Sequence, residues 1–305
     1  MRFPLVGFAL AVLARTDPAP ASVTIPLASL DAAYPRLTPE QVRRSYIVRE
    51  APQIPFTNFS AAYVKNALAM PTNWTARGAV TPAKNQGSHG FCGTFGRMGE
   101  AEGQFFLRGN GHLRNFSEQM LVDCAGWDLD QFAYFSSRGL MSSEDYPYNL
   151  SSYPDVDPPV PGNPCVFNSS EVIPETAGFF NFTTGRAPTE DQLAAFIHHN
   201  GPVSAGIGSD VFGLREPGCE ARGDCFINAT ACATVTSIDH SIVVVGYGTD
   251  AVHGDYWIIK NSWSTRFANN GFINIQRGVG CGGFCGDASI CGNLFGHGDP
   301  RSYFE

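Results

Sequence analysis

After residue 200 the chain changes character, and that change limits the possible folds more than any other feature. PVSAGIG (202–208), HSIVVVGYG (240–248), DYWIIKNSW (255–263) and GFINIQR (271–277) are short, β-branched or aromatic, and separated by glycine-rich turns. Such runs read as strands. The first half reads as helix instead, at 92–107, 117–124 and 127–138, with Ser117 placed to cap the second. Thr189 and Gln192 have capping-box spacing for one more helix, closed by Asn200 and Gly201. Residues 149–164 are loop by composition. Residues 16–66 show little periodicity apart from LTPEQVRRSYIV, where Thr38 can cap a short helix, so order is expected from about Met70. Helices early and strands late predict an α+β protein in two lobes, with the cleft between them as the default site. There is no internal repeat.

Compartment follows from cysteine and sequon content. The chain holds nine cysteines and N-x-S/T sequons at Asn58, Asn73, Asn115, Asn149, Asn168, Asn181 and Asn228. Together they indicate the secretory pathway, ending in a lysosome- or vacuole-like compartment or outside the cell. Trp74 lies inside the Asn73 sequon and would bury it by packing, which leaves the other six as acceptors. Arg2 precedes an apolar run at 3–13, so residues 1–15 are expected to be a signal peptide. That run is too short to span a bilayer, and there is no other transmembrane candidate. A net charge of −8 argues against nucleic acid as a partner. For the clusters Cys219, Cys225, Cys232 and Cys281, Cys285, Cys291, disulfides suit an oxidising compartment better than zinc. No metal or other cofactor is expected, and the chain is expected to be a monomer.

Three residues carry candidate chemistry. Cys92 lies in a glycine-rich turn that opens a helix, where the macrodipole favours a thiolate. A lone cysteine in a secreted chain is more often half a disulfide, but nine is odd, so at least one lacks an internal partner. His240 opens a buried-strand pattern and, taken alone, reads as a strand-end histidine with a satisfied hydrogen bond. Asn261 ends another strand beside Trp263. An amide there can fix an imidazole tautomer while the indole shields the bond; it can equally be a turn residue. His89, three residues before Cys92, is a rival partner for the thiol. The pair His198-His199 reads as helix surface.

Taken together the stretches are no longer generic. GAVTPAKNQGSHGFCGTF, NFSEQMLVDC, YPYN, GPVSAGI, DHSIVVVGYG and YWIIKNSWSTRFANNGFINIQRG resemble, in order and approximate spacing, the papain-like cysteine proteases of cathepsin L type, over about residues 71–289. The resemblance implies a helical lobe at about 85–170 and an antiparallel β-barrel-like lobe at about 171–290, within a peptidase domain at 68–305. It makes Cys92 the nucleophile, His240 its base and ion-pair partner, Asn261 the orienting amide and Gln86 an oxyanion donor. It places Gly90, Gly126, Trp127, Gly206, Ser241 and Trp263 along the substrate cleft and pairs Cys124 with Cys165. LTPEQVRRSY resembles the end of the family's inhibitory propeptide, so residues 16–67 are expected to be a short or truncated propeptide that restrains the enzyme. An active form is expected to begin between Lys65 and Pro71. The implied partners are peptide or protein substrates and the chain's own propeptide.

The departures are specific. His89 stands where the family has a disulfide cysteine, and the loop after Cys124 that carries its mate is shortened. Gly93 replaces the family's tryptophan, which leaves a void or admits Phe91 or another aromatic. Ser264 and Phe267 replace the usual glycine and tryptophan. A catalytically silent binding protein, and an exopeptidase or peptide ligase using the same site, are the alternatives to an endopeptidase. For an exopeptidase, His112 and His253 are the only loop histidines available.

Overall fold

The computed structural model describes residues 53–55, 58–108, 111–125, 131–149, 164–173, 176, 182–187, 189–232, 238–280 and 291–294. The expected signal peptide, the Thr38-capped helix, Gly126, Trp127, Asn181, Cys281 and Cys285 lie outside the described residues, as do the side chains of Cys232 and Cys291.

Helix α1 (Ala61–Leu68) is followed by α2 (Cys92–Arg108), α3 (Glu118–Cys124) and α4 (Gln131–Arg138), and α5 (Glu190–Asn200) opens the strand-rich half. Helix α2 is the spine of the molecule. Met98, Ala101 and Phe105 recur at helical spacing and pack with Phe116, Met120, Leu121, Phe135 and Met141 into one core. A second face is glycine. Each glycine costs a helix roughly 1 kcal/mol against alanine, and close approach explains why they are there. A Cβ on Gly96 would lie 2.2 Å from Ser241 Oγ, and one on Gly99 2.7 Å from Val243 Cγ2. The helix therefore lies almost directly on the strand lobe. Ser117 caps α3 as its sequence suggests, its hydroxyl accepting from the Met120 N–H at 2.9 Å. The Cys124–Cys165 disulfide pins the end of α3.

In the strand lobe, β6 (Val203–Ile207), β8 (His240–Asp250), β9 (Gly254–Lys260) and β10 (Phe272–Gln276) form an antiparallel ladder. On one side β11 (Cys291–Leu294) and β5 (Phe182–Ala187) extend it, also antiparallel. Short parallel pairs finish the two ends: β1 (Gln53–Pro55) on β5, and β7 (Phe226–Ile227) on β10. The short strand β2 (Thr72–Asn73) pairs with β8, and β3 (Leu140–Met141) pairs with β4 (Val172–Ile173) in a small sheet of its own. The larger sheet is thus mixed, and among the described strands it follows an open path. Its core includes Leu193, Ile197, Val203, Ile207, Phe212, Ile242, Val244, Trp257, Ile259, Ile273 and Ile275. A second disulfide, Cys219–Cys225, closes a short loop ahead of β7.

Order begins earlier than the sequence pattern suggests. Ser60 caps α1, and Val64 and Ala67 bury against Ala195 of α5. Thr189 caps α5 at 3.2 Å, but Gln192 does not complete a capping box. Its side-chain amide instead holds Phe59, accepting from the backbone N–H at 2.8 Å and donating to the carbonyl at 2.9 Å. Nor is the histidine pair idle surface. His198 Nδ1 is 2.7 Å from the Thr72 hydroxyl, and His199 Nδ1 is 3.1 Å from the Tyr63 hydroxyl. Asn58, Asn115, Asn149, Asn168 and Asn228 are exposed, as glycan acceptors must be. Asn73 is exposed too: Trp74 packs inward without taking its neighbour along.

The lobes meet over a buried charge cluster. Lys84 Nζ lies 2.6 Å from both Glu102 and Glu118, and Lys260 Nζ lies 3.9 Å from Glu102. Thr81 donates to Glu102 at 2.5 Å and accepts from Lys260 at 2.7 Å. An inter-lobe cavity next to this cluster is lined also by Phe95, Gly96, Ser241, Asn261 and Ser262.

Candidate active site

Cys92 is the first residue of α2 and His240 the first of β8, so two elements from different lobes present them at the seam. Among the described residues Cys92 is the free thiol. Burial pushes its pKa up. The hydrogen bond and charge of His240, with backbone hydrogen bonds from Ser241 and Gly93, outweigh that and hold it below the ordinary thiol value. Burial pushes His240 down, and the hydrogen bond and charge of Cys92, joined by Asn261 and Asp239, raise it above the ordinary imidazole value. Each partner favours the charged form of the other.

Asn261 follows β9 directly and is buried. Its Oδ1 is 2.8 Å from His240 Nε2 and also accepts from the Ser262 N–H at 2.8 Å. An oxygen that already takes an N–H faces the imidazole as an acceptor. The His240 Nε2 therefore carries the proton and Nδ1 is left for the thiol. Trp263 covers this bond, its ring centroid 4.9 Å from that of His240. Phe212 stands edge-on to His240 at 6.0 Å and to Trp263 at 5.3 Å, and Phe267 closes the cage at 5.4 Å from each of Phe212 and Trp263.

Gln86 is held from both lobes. Its backbone N–H donates to Ser262 O at 2.9 Å, its Oε1 accepts from the Ser262 hydroxyl, and its carbonyl accepts from the Tyr148 hydroxyl at 2.9 Å. With the oxygen assigned by Ser262, Nε2 is the donor and gives one hydrogen to the His89 carbonyl at 2.9 Å. That carbonyl also accepts from the Phe91 N–H at 2.8 Å, and the His89 ring stacks on Phe91 at 5.9 Å, 5° from parallel. His89 thus stiffens the turn, and His240 is the histidine that meets the thiol.

Of the cleft residues expected, Gly206 and Ser241 sit opposite each other in the β6–β8 ladder, with the Ser241 hydroxyl buried and unpaired. Gly90 is exposed beside the thiol-bearing turn. The space beside Gly93 is taken neither by a void nor by an aromatic ring: a Cβ there would meet Arg97 Nη1 at 3.0 Å. Ser262, Phe212 and Arg97 were not singled out from the sequence. Ser262 had a signal, its place beside Asn261. Phe212 had none, because only the folded loop 208–214 carries it to the imidazole.

The papain family of cysteine proteases matches residues 68–290. Relatives include a "Cathepsin L-like" protein of Caenorhabditis elegans, 34% identical over 67% of this chain and 58% of its own length. "Cathepsin L1" of Drosophila melanogaster is 33% identical over 72% and 57%, and "Digestive cysteine proteinase 2" of Homarus americanus 31% over 68% and 62%. The chain thus spans about 57–62% of the length of these three relatives. Digestive procathepsin L 3 of the Tenebrio molitor larval midgut superposes with a TM-score of 0.62 at 27% identity, over 80% of this chain and 75% of that one. With this fold, and with a match over most of its length, the chain belongs to the papain family of cysteine proteases.

Proposed function

We propose that the protein is a cysteine-type endopeptidase acting through Cys92, His240, Asn261 and Gln86. The observation that carries this reading is a free thiol hydrogen-bonded to an imidazole whose far nitrogen is held by a buried amide. The Cys92 thiolate attacks a peptide carbonyl, and the C=O electron pair moves to oxygen. Gln86 Nε2 has a second hydrogen for that oxyanion, and the Cys92 backbone N–H is the other donor. The oxyanion collapses, the C–N bond breaks, and the imidazolium gives its proton to the leaving amine. Water then loses a proton to His240 and attacks the thioester; the C–S bond breaks, releasing a carboxylic acid and regenerating the Cys92 thiolate beside the His240 imidazolium.

The chain is made as a precursor that its upstream segment restrains. The described disulfides and the relatives' names support a secretory, lysosome-like or digestive setting. No helix among the described residues is long and apolar enough to cross a membrane. The test pairs hydrolysis of a peptide library with an irreversible thiol-directed electrophile. Internal peptide bonds are cut, and labelling at Cys92 abolishes the cutting. Labelling of Cys92 with no loss of hydrolysis, or no hydrolysis of any peptide by the processed protein, rejects the reading.

A further inference from the structure

The helix that presents Cys92 continues Gly93-Thr94, and a glycine so placed lends its first turn little stiffness. Yet the Gly93 backbone N–H is one of the groups that hydrogen-bond Cys92, so the turn has to be held from outside. The Arg97 guanidinium, one turn along, occupies the space that a side chain at 93 would need, 3.0 Å from the Cβ position for Nη1 and 3.7 Å for Cζ. Arg97 is only 3% exposed. Its Nη1 donates to Gln131 Oε1 at 3.0 Å, and Gln131 Nε2 donates to Thr94 Oγ1 at 2.7 Å. One fully buried amide of α4 thus grips α2 at two points of the turn below the thiol. One turn further, Glu100 Oε2 accepts from the Ser204 N–H at 2.9 Å and hydroxyl at 2.5 Å. Helix α2 is therefore fastened to α4 on one side and to β6 on the other.

We propose that Arg97 and Gln131 are positioning residues for the nucleophile: they clamp the first turn of α2 so that the Gly93 N–H stays aimed at Cys92 Sγ, and residue 93 is glycine because the guanidinium needs its side-chain space. The clamp does mechanically what neither a disulfide at position 89 nor a bulky residue at 93 is there to do. This rests on Cys92 being the nucleophile and His240 its partner.

The experiment is the pH dependence of Cys92 alkylation by iodoacetamide, read beside kcat and KM on one peptide substrate. The wild type must show a reactive thiolate below the ordinary thiol range, and His240→Ala must lose it. Failure of either rejects the catalytic pair and takes the clamp with it. With both in place, Gln131→Leu raises the inflection by about one pH unit, which is about tenfold less thiolate on the acid side, and lowers kcat about tenfold with KM little changed. Gln131→Glu restores the wild-type inflection, because its carboxylate accepts from both Arg97 and the Thr94 hydroxyl. Thr94→Val removes a single bond and shifts the inflection in the same direction by less. An unmoved inflection in folded Gln131→Leu overturns the proposal, as does no restoration by Gln131→Glu. If the leucine variant does not fold, an unmoved inflection in Thr94→Val decides against it.

Discussion

Two histidines flank the question of which residue serves Cys92, and their surroundings separate them. His240 bonds the thiol on one side and Asn261 on the other. His89 contributes a stacked ring and a backbone carbonyl. His89→Ala keeps that carbonyl, so we expect most of kcat/KM to survive with some loss of stability. His240→Ala should lower kcat/KM by at least about 10²–10⁴-fold. Kinetics of both variants on one substrate decide it, and the opposite ranking would reject the pair. The signs of the pKa displacements fix the pH profile. A thiol below its usual value and an imidazole above its own draw the two titrations towards each other, which favours the ion pair over the neutral pair. The profile of kcat/KM should be a bell, with an acid limb below the ordinary thiol pKa and an alkaline limb above the ordinary imidazole pKa, both belonging to the pair. Asn261→Ala removes one support of the imidazolium, so the alkaline limb should move down. Cys92, His240, Asn261 and Gln86 were legible as candidates only when their stretches were taken together, through the family resemblance those stretches carry as a set. Phe212 and Gln131 were not, since nothing near them in sequence records which distant atoms they meet.

At the scale of elements, short β-branched or aromatic runs between glycine-rich turns located β6, β8, β9 and β10, and helix-like stretches located α2 and α3; β6 and most of β8 are buried on both faces, and a continuous apolar run records that. Helix α1 escaped that reading. It has eight residues, about the length at which a helix owes its existence to a partner, and the partner, α5, lies more than a hundred residues downstream. Gln192 misled for a related reason: a capping box is a local motif, and its side chain found better-placed donors and acceptors on Phe59. The glycines of α2 are the reverse case, visible in the sequence at three-residue steps but uninterpretable until β8 is laid against them. Gly96→Ala inserts a methyl 2.2 Å from Ser241 Oγ. We expect a loss of about 1–3 kcal/mol and a displaced α2, read as a lower Tm together with slower alkylation of Cys92. A variant as stable as the wild type would show that the packing there is loose.

For the whole molecule, the seam between lobes is where acidity acts. Lys84 neutralises two buried carboxylates at once. Lys84→Met takes the nearest cation from Glu118 and from Glu102, which keeps Thr81, the Phe116 N–H and the more distant Lys260, and we expect a loss on the order of 3–5 kcal/mol, measured by denaturant unfolding at neutral pH. A loss under 1 kcal/mol would mean that the cluster is well solvated. Glu100 gives a cleaner sign. Burial first of all, against the Ser204 hydrogen bonds and the Arg97 charge, raises its pKa from 4.5 to about 7. Between those values the folded chain binds more protons than the unfolded one, so stability falls as pH rises and grows on acidification from 7 towards 4.5. The gain is on the order of 3 kcal/mol. Glu100→Gln, whose amide oxygen still accepts from Ser204, should abolish that part of the pH dependence in thermal melts. A wild type and variant with parallel profiles would rule it out. The docking of α1 on α5 has a further consequence, one of mass action. Only Ala69, Met70 and Pro71 separate α1 from β2. While that link is intact, the helix faces its groove at an effective concentration on the order of millimolar. Were it cut, the same helix would become a separate ligand, and its occupancy would follow the protein's own concentration. A cut protein held at high concentration would keep the helix bound, and the same protein diluted into a large volume would shed it by dilution alone.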